Sequence, residues 1–128
     1  MKPSTAEWVG KAEDDWEMAL KAFRARKYPV YDAAGYHSQQ CAEKYLKASL
    51  VEAGLAVAKT HDLLKLLNRI LPIRPNWLTL QPPLNSLNKY SVLYRYPGHN
   101  AIKADARQAI QDCREVRRTI RVAFGLPV

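Results

Sequence analysis

The sequence predicts an all-α fold, an up-and-down antiparallel bundle of four to five helices. Apolar residues recur at three- and four-residue steps through most of the chain, and no alternating apolar run of useful length interrupts them. The length agrees: 128 residues are about one domain's worth, and a hydrophobic content of 48% is ordinary for a globular core. Residues 1–128 are therefore expected to form a single domain, with negligible β content.

In the first helix, Trp8, Ala12, Trp16, Ala19, Leu20 and Phe23 form an apolar stripe, while Lys11, Asp14, Glu17, Lys21 and Arg24 fill the other arc. Ser4 or Thr5 is the expected cap. Pro29 suits the first turn of a second helix, from Val30 to about Ala53. Its apolar positions Ala34, Cys41, Ala42, Tyr45, Leu46, Ala48, Ser49 and Ala53 cover more than half its circumference, so it should be central, with Gly54 as its stop. A third, short helix is expected after a Thr60 cap, burying Leu63, Leu64, Leu67, Ile70 and Leu71 before Pro72 ends it, with Asp62 favouring the helix dipole in the first turn.

Four prolines, Pro72, Pro75, Pro82 and Pro83, preclude a long helix next, although Trp77, Leu78 and Leu80 need apolar surroundings. An ordered connector and a short fourth helix from about Pro83 to Tyr90 follow. Pro97 and Gly98 then break the chain before a last helix from about Ala101 to Phe124, for which Asn100 is the expected cap. At 100° per residue this helix has a core face of Ile102, Ala106, Ala109, Cys113, Val116, Ile120 and Phe124. Asp105, Asp112 and Glu115 make one flank; Lys103, Arg107, Arg114, Arg117, Arg118 and Arg121 make the other.

Charge narrows the partners. Twenty basic against twelve acidic side chains leave a net charge of +8, which favours nucleic acid, nucleotide or an acidic protein. No stretch approaches the roughly 20 apolar residues of a membrane span, and the opening MKPSTAEWVGKAEDD lacks the apolar centre of a secretory signal, so a soluble, cytoplasmic protein without a membrane partner is expected. Cys41 and Cys113 read as small buried hydrophobes. His37, His61 and His99 share no ligand spacing, so neither a metal nor a cofactor is expected.

The most informative stretch is Tyr94-Arg95-Tyr96-Pro97-Gly98-His99-Asn100. It precedes a helix N-terminus, where free N–H groups favour an anion. Arg95 is the candidate phosphate clamp, Lys103 adds charge one turn on, and His99 is a candidate proton donor or acceptor. Tyr96 and Asn100 fall within the same phosphate site, and Tyr90, Tyr94 and Tyr96 offer faces on which a base can stack. The plainer alternative has Pro97 and Gly98 only turning the chain, Arg95 paired with Asp14 or Asp15, and His99 solvated.

Gln40, Glu43, Lys44 and Lys47 form a polar strip on the second helix. They either line a groove, which makes Gln40, Lys44 and Lys47 further phosphate candidates, or form a solvated edge held by Glu43–Lys47 pairing. For Thr60-His61-Asp62-Leu63 the structural account is preferred, with His61 satisfying a polar group.

QQCAEKYLKASL in the second helix, THDLLKLL in the third and YRYPGHN before the last resemble the HEPN domain family in order and spacing. So does the opening pattern of Trp8, Ala12, Asp15 and Ala19 followed by Tyr28 to Ala34. The resemblance covers nearly the whole chain. It implies a helical bundle paired into a homodimer across a cleft and made beside a minimal nucleotidyltransferase, the two acting as toxin and antitoxin. Members with an arginine, a polar residue and a histidine after four to six intervening positions resemble metal-independent endoribonucleases, which would give Arg95 and His99 catalytic roles. Here Tyr96 replaces the polar residue, only three residues separate Arg95 from His99, and Ala101 stands where some members carry a modifiable tyrosine. The RYP form is typical of a branch regarded as binding nucleotides or partners. The expectation is therefore a module that binds nucleotide or RNA phosphate at Arg95 and the last helix, with endoribonuclease action and a purely scaffolding role as alternatives.

Overall fold

Five α-helices form in the expected order: α1 (Pro3–Arg24), α2 (Tyr31–Glu52), α3 (Leu63–Ile70), α4 (Gln81–Asn88) and α5 (Lys103–Ala123). The computed structural model describes the backbone of residues 1–128 and every side chain except that of Arg95, which lies outside the described residues. Among these residues there is no strand, and no helix is long and apolar enough to cross a membrane.

The ends of the helices depart from expectation for local reasons. Pro3 occupies the first turn of α1, where its missing N–H costs nothing, so Ser4 and Thr5 lie inside the helix instead of capping it. Thr5 is buried and donates its hydroxyl to Glu52 Oε1 at 2.9 Å, fastening the start of α1 to the end of α2. Pro29 stays outside α2, whose entry is the extended Val30. Gly54, at φ +76°, ends that helix as anticipated.

At α3 the cap is Asp62, not Thr60: its carboxylate accepts from Leu64 N at 3.0 Å and Lys65 N at 3.4 Å, while the Thr60 hydroxyl accepts from Asp62 N. Leu63, Leu66, Leu67 and Ile70 are buried, and Leu64 and Leu71 only partly so. The connector winds into a 3-10 helix, Pro75–Leu80, that buries Trp77 and Leu80 but leaves Leu78 exposed. Pro82 and Pro83 sit in the first turn of α4, so that helix starts and ends two residues earlier than expected. Ile102, not Asn100, precedes α5; it is 64% exposed and does not join the core.

The central place of α2 is clear from its neighbours, since it packs against α1, α3, α4 and α5. Ala34, Cys41, Ala42, Tyr45, Leu46, Ala48 and Leu50 are fully buried along it, facing Ala12, Trp16, Cys113, Val116 and Ile120 of one continuous core. Cys41 and Cys113 are both free; burial, and then the neighbouring Cys113, push the Cys41 thiol well up, so it is an inert packing group. A polar tie joins three helices. Arg117 of α5 donates twice to Glu13 of α1, both at 2.7 Å, Tyr45 of α2 donates to Glu13 at 2.6 Å, and Arg121 donates to the Tyr45 hydroxyl.

Candidate functional site

The chain between α4 and α5 is held at one end of the bundle. After two 3-10 turns, Lys89–Ser91 and Leu93–Arg95, Tyr96 is extended and Pro97-Gly98 turn the chain, with Gly98 at φ +92° where side chains rarely go. Tyr90 anchors the segment. Its ring is buried against Gly35 of α2, stacks on Tyr94 at 4.8 Å and 22°, and its hydroxyl donates to the Asp105 carbonyl at 3.1 Å. Burial, with the charges of Asp105 and Asp32 added, raises the phenol of Tyr94, and the Tyr90 phenol is raised further still. Lys89 lies over both rings.

Two carboxylates close the other end of the segment. Asp32 of α2 accepts from Ala101 N at 2.6 Å, and Asp105 accepts from Ile102 N at 2.9 Å. The N–H groups just before α5 are thus already partnered by the protein's own acids.

Of the expected site residues, Tyr96, His99, Asn100 and Lys103 are all exposed and belong to this end of the bundle. The Arg95 side chain lies outside the described residues. Arg95 and His99 do not share a helical face, because the extended Tyr96 and the Pro97-Gly98 turn separate them. Gln40, Lys44 and Lys47 lie further along α2, Lys47 roughly 22 Å from Asp32 at the usual helical rise. They are also internally engaged. Lys44 pairs with Asp15 at 2.5 Å, Lys47 with Glu43 at 3.0 Å, and Gln40 donates to Gln39. The Glu43–Lys47 pairing is the one the sequence suggests, but both groups are buried instead of forming a solvated edge. Asp15, considered as a partner for Arg95, holds His37 and Lys44.

A second feature was not legible as a site. The His61 side chain is 72% exposed, yet its Nδ1 is bonded to the buried Glu43 carboxylate at 3.0 Å and 3.2 Å, and its carbonyl accepts from Gln39. His61 lines a cleft of about 490 Å³ with Asp62, Asn88, Lys89, Ser91 and Val92. Its floor is fastened by Asn88, which accepts from Leu63 N and donates to Asp62 Oδ1, each at 2.9 Å. That donation, with those from Leu64 and Lys65, holds the Asp62 carboxyl below its usual range. Glu43 and His61 are eighteen positions apart in the chain, so periodicity carries no sign of the pair. Among the described residues no group of three His, Cys, Asp or Glu side chains could hold a metal ion.

The sorted charge of α5 divides in two. Arg117 and Arg121 turn inward to Glu13 and Tyr45. Lys103, Arg107, Arg114 and Arg118 are exposed and pair with no carboxylate among the described residues; Arg114 rests on the Trp16 ring. This exposed row spans roughly 22 Å.

Comparison with known proteins agrees with this architecture. A family model described as "HEPN domain" matches residues 5–123. "Putative toxin MJ1304" of Methanocaldococcus jannaschii is 29% identical over 131 aligned residues, covering 89% of this chain and 84% of that protein. The crystal structure of TT1696 from Thermus thermophilus superposes with a TM-score of 0.78 at 22% identity, covering 94% of this chain and 98% of that one. The crystal structure of ST0689, described as an archaeal HEPN homologue, gives a TM-score of 0.77 at 24% identity, covering 96% and 98%.

Proposed function

This chain belongs to the HEPN domain family, and we propose that it is a single-domain, nucleotide- or RNA-phosphate-binding member that contacts its ligand at Arg95 and the start of α5. The observation that carries this reading is the row Lys103, Arg107, Arg114 and Arg118. Four exposed cations without carboxylate partners among the described residues run down α5 from the end of the loop containing Arg95. Arg117 and Lys44 are taken up by acids within the fold, whereas a row of exposed cations along one face of a helix, in a chain of net charge +8, attracts a polyanion.

The match to a protein named as a toxin supports a place in a toxin–antitoxin-type pair. The nucleotidyltransferase partner and the homodimer are proposed with it, from the sequence resemblance. Cleavage of RNA by Arg95 and His99 is supported less well, because the turn at Pro97-Gly98 removes the shared helical face.

The test is RNA binding measured across a salt series. Arg95→Ala and Lys103→Ala should each weaken affinity and reduce the salt slope by about one phosphate contact. Unchanged affinity and slope in both would reject the placement. Co-purification with a nucleotidyltransferase, and the mass of the complex in solution, test the partner and the homodimer.

A further inference from the structure

The cleft beside His61 has features that a merely structural histidine does not need. With Nδ1–H donating to Glu43, the neutral imidazole is left with Nε2 as an acceptor, on a ring that is mostly exposed. Lys47 and Gln39 also bond Glu43, so the carboxylate that orients the ring is itself fixed. Nε2 has no partner among the described residues. Lys89 lines the same cleft, its ammonium laid over the stacked rings of Tyr90 and Tyr94, and Asn88 ties the end of α4 to the start of α3.

The charges order what can enter. Asp62 puts a negative charge beside His61, although its Oδ1 is bonded to Asn88 and the first turn of α3; Lys89, from the segment that follows α4, adds a positive charge to the same lining. A phosphate therefore belongs on the Lys89 side and an uncharged hydroxyl on the His61 side. Resting on the reading that the protein binds nucleotide or RNA, we propose that this cleft takes a ribonucleotide unit. His61 Nε2 accepts a hydrogen bond from the ribose 2′-hydroxyl and Lys89 neutralises the adjoining phosphate, so that the protein selects RNA over DNA. A deoxyribose offers no proton to Nε2, so its complex lacks that hydrogen bond.

The test compares a short single-stranded RNA with the DNA of the same base sequence. The wild-type protein should prefer RNA by roughly fivefold, the effect of one hydrogen bond. His61→Ala, a change at an exposed side chain, should remove the preference. Lys89→Ala should weaken RNA and DNA equally. Equal wild-type affinity for the two strands, or a preference that survives His61→Ala, overturns the selectivity while leaving phosphate binding in place. Binding of neither strand overturns the underlying reading as well.

Discussion

The Tyr90 ring occupies the space that a β-carbon at Gly35 would fill: a Cβ built there would lie 2.3 Å from two ring carbons. Only glycine lets α2 and the segment after α4 approach so closely. Gly35→Ala should force the ring out, costing about 2 kcal/mol in stability, as overpacking at a buried contact does. Because Tyr90 also stacks on Tyr94 and bonds the Asp105 carbonyl, the loop bearing Arg95 should shift with it. Thermal unfolding reads the first effect and RNA affinity the second. An unchanged melting temperature would contradict the contact.

Glu13 links stability to pH. Burial works to raise its carboxyl, but the hydrogen bonds from Arg117 and Tyr45 and the charge of Arg117 outweigh it, and the group lies below its ordinary 4.5. As pH falls, the unfolded chain therefore takes up the proton first. The stabilisation is complete above about pH 5 and is lost as pH drops through the lowered folded value. Glu13→Gln should lower stability at neutral pH and flatten its acid dependence. A variant as steeply acid-sensitive as the wild type would show that other carboxylates dominate.

How much of the molecule is readable from its sequence depends on the range of each interaction. The amphipathic faces of α1, α2 and α5 are local, repeat every few residues and place Trp16, Tyr45 and Val116 in the core directly. Caps are decided by one or two side chains, and there sequence and structure part: Asp62 displaces Thr60, and Ile102 precedes α5 where Asn100 is expected. The candidate site is harder still. Arg117 and Arg121 look like the other arginines of α5 until Glu13, over a hundred residues away in the chain, claims them. The same holds for Glu43 with His61, and for Asp15 with Lys44. Which cations remain free for a ligand is settled by long-range partners that periodicity does not encode.

Asn88 offers a test of the cleft's floor. It joins the end of α4 to the cap of α3 by accepting from Leu63 N and donating to Asp62, and the latter bond is the largest influence holding the Asp62 carboxyl down. Asn88→Ala leaves the Leu63 N–H unpaired and should cost about 1 kcal/mol. It should also bring the Asp62 carboxyl back towards its ordinary 3.8, a shift that carboxyl titration by NMR follows directly. An unmoved Asp62 resonance would mean that the backbone donors of Leu64 and Lys65 suffice alone.

The arginines of α5 separate folding from binding within one helix. Arg117 is held by two charged hydrogen bonds to a partly buried Glu13, so Arg117→Ala should cost about 2 kcal/mol in stability yet leave the salt slope of RNA binding unchanged. Arg107 and Arg118 pair with no acid among the described residues, so Arg107→Ala and Arg118→Ala should leave the melting temperature nearly unmoved. Each should instead reduce that slope by about one. The two classes of substitution are therefore expected to fall on different axes when the change in melting temperature is plotted against the change in slope. Arg107 and Arg118 variants that lose stability but keep the slope would show the exposed row to be part of the scaffold and not a path for a strand.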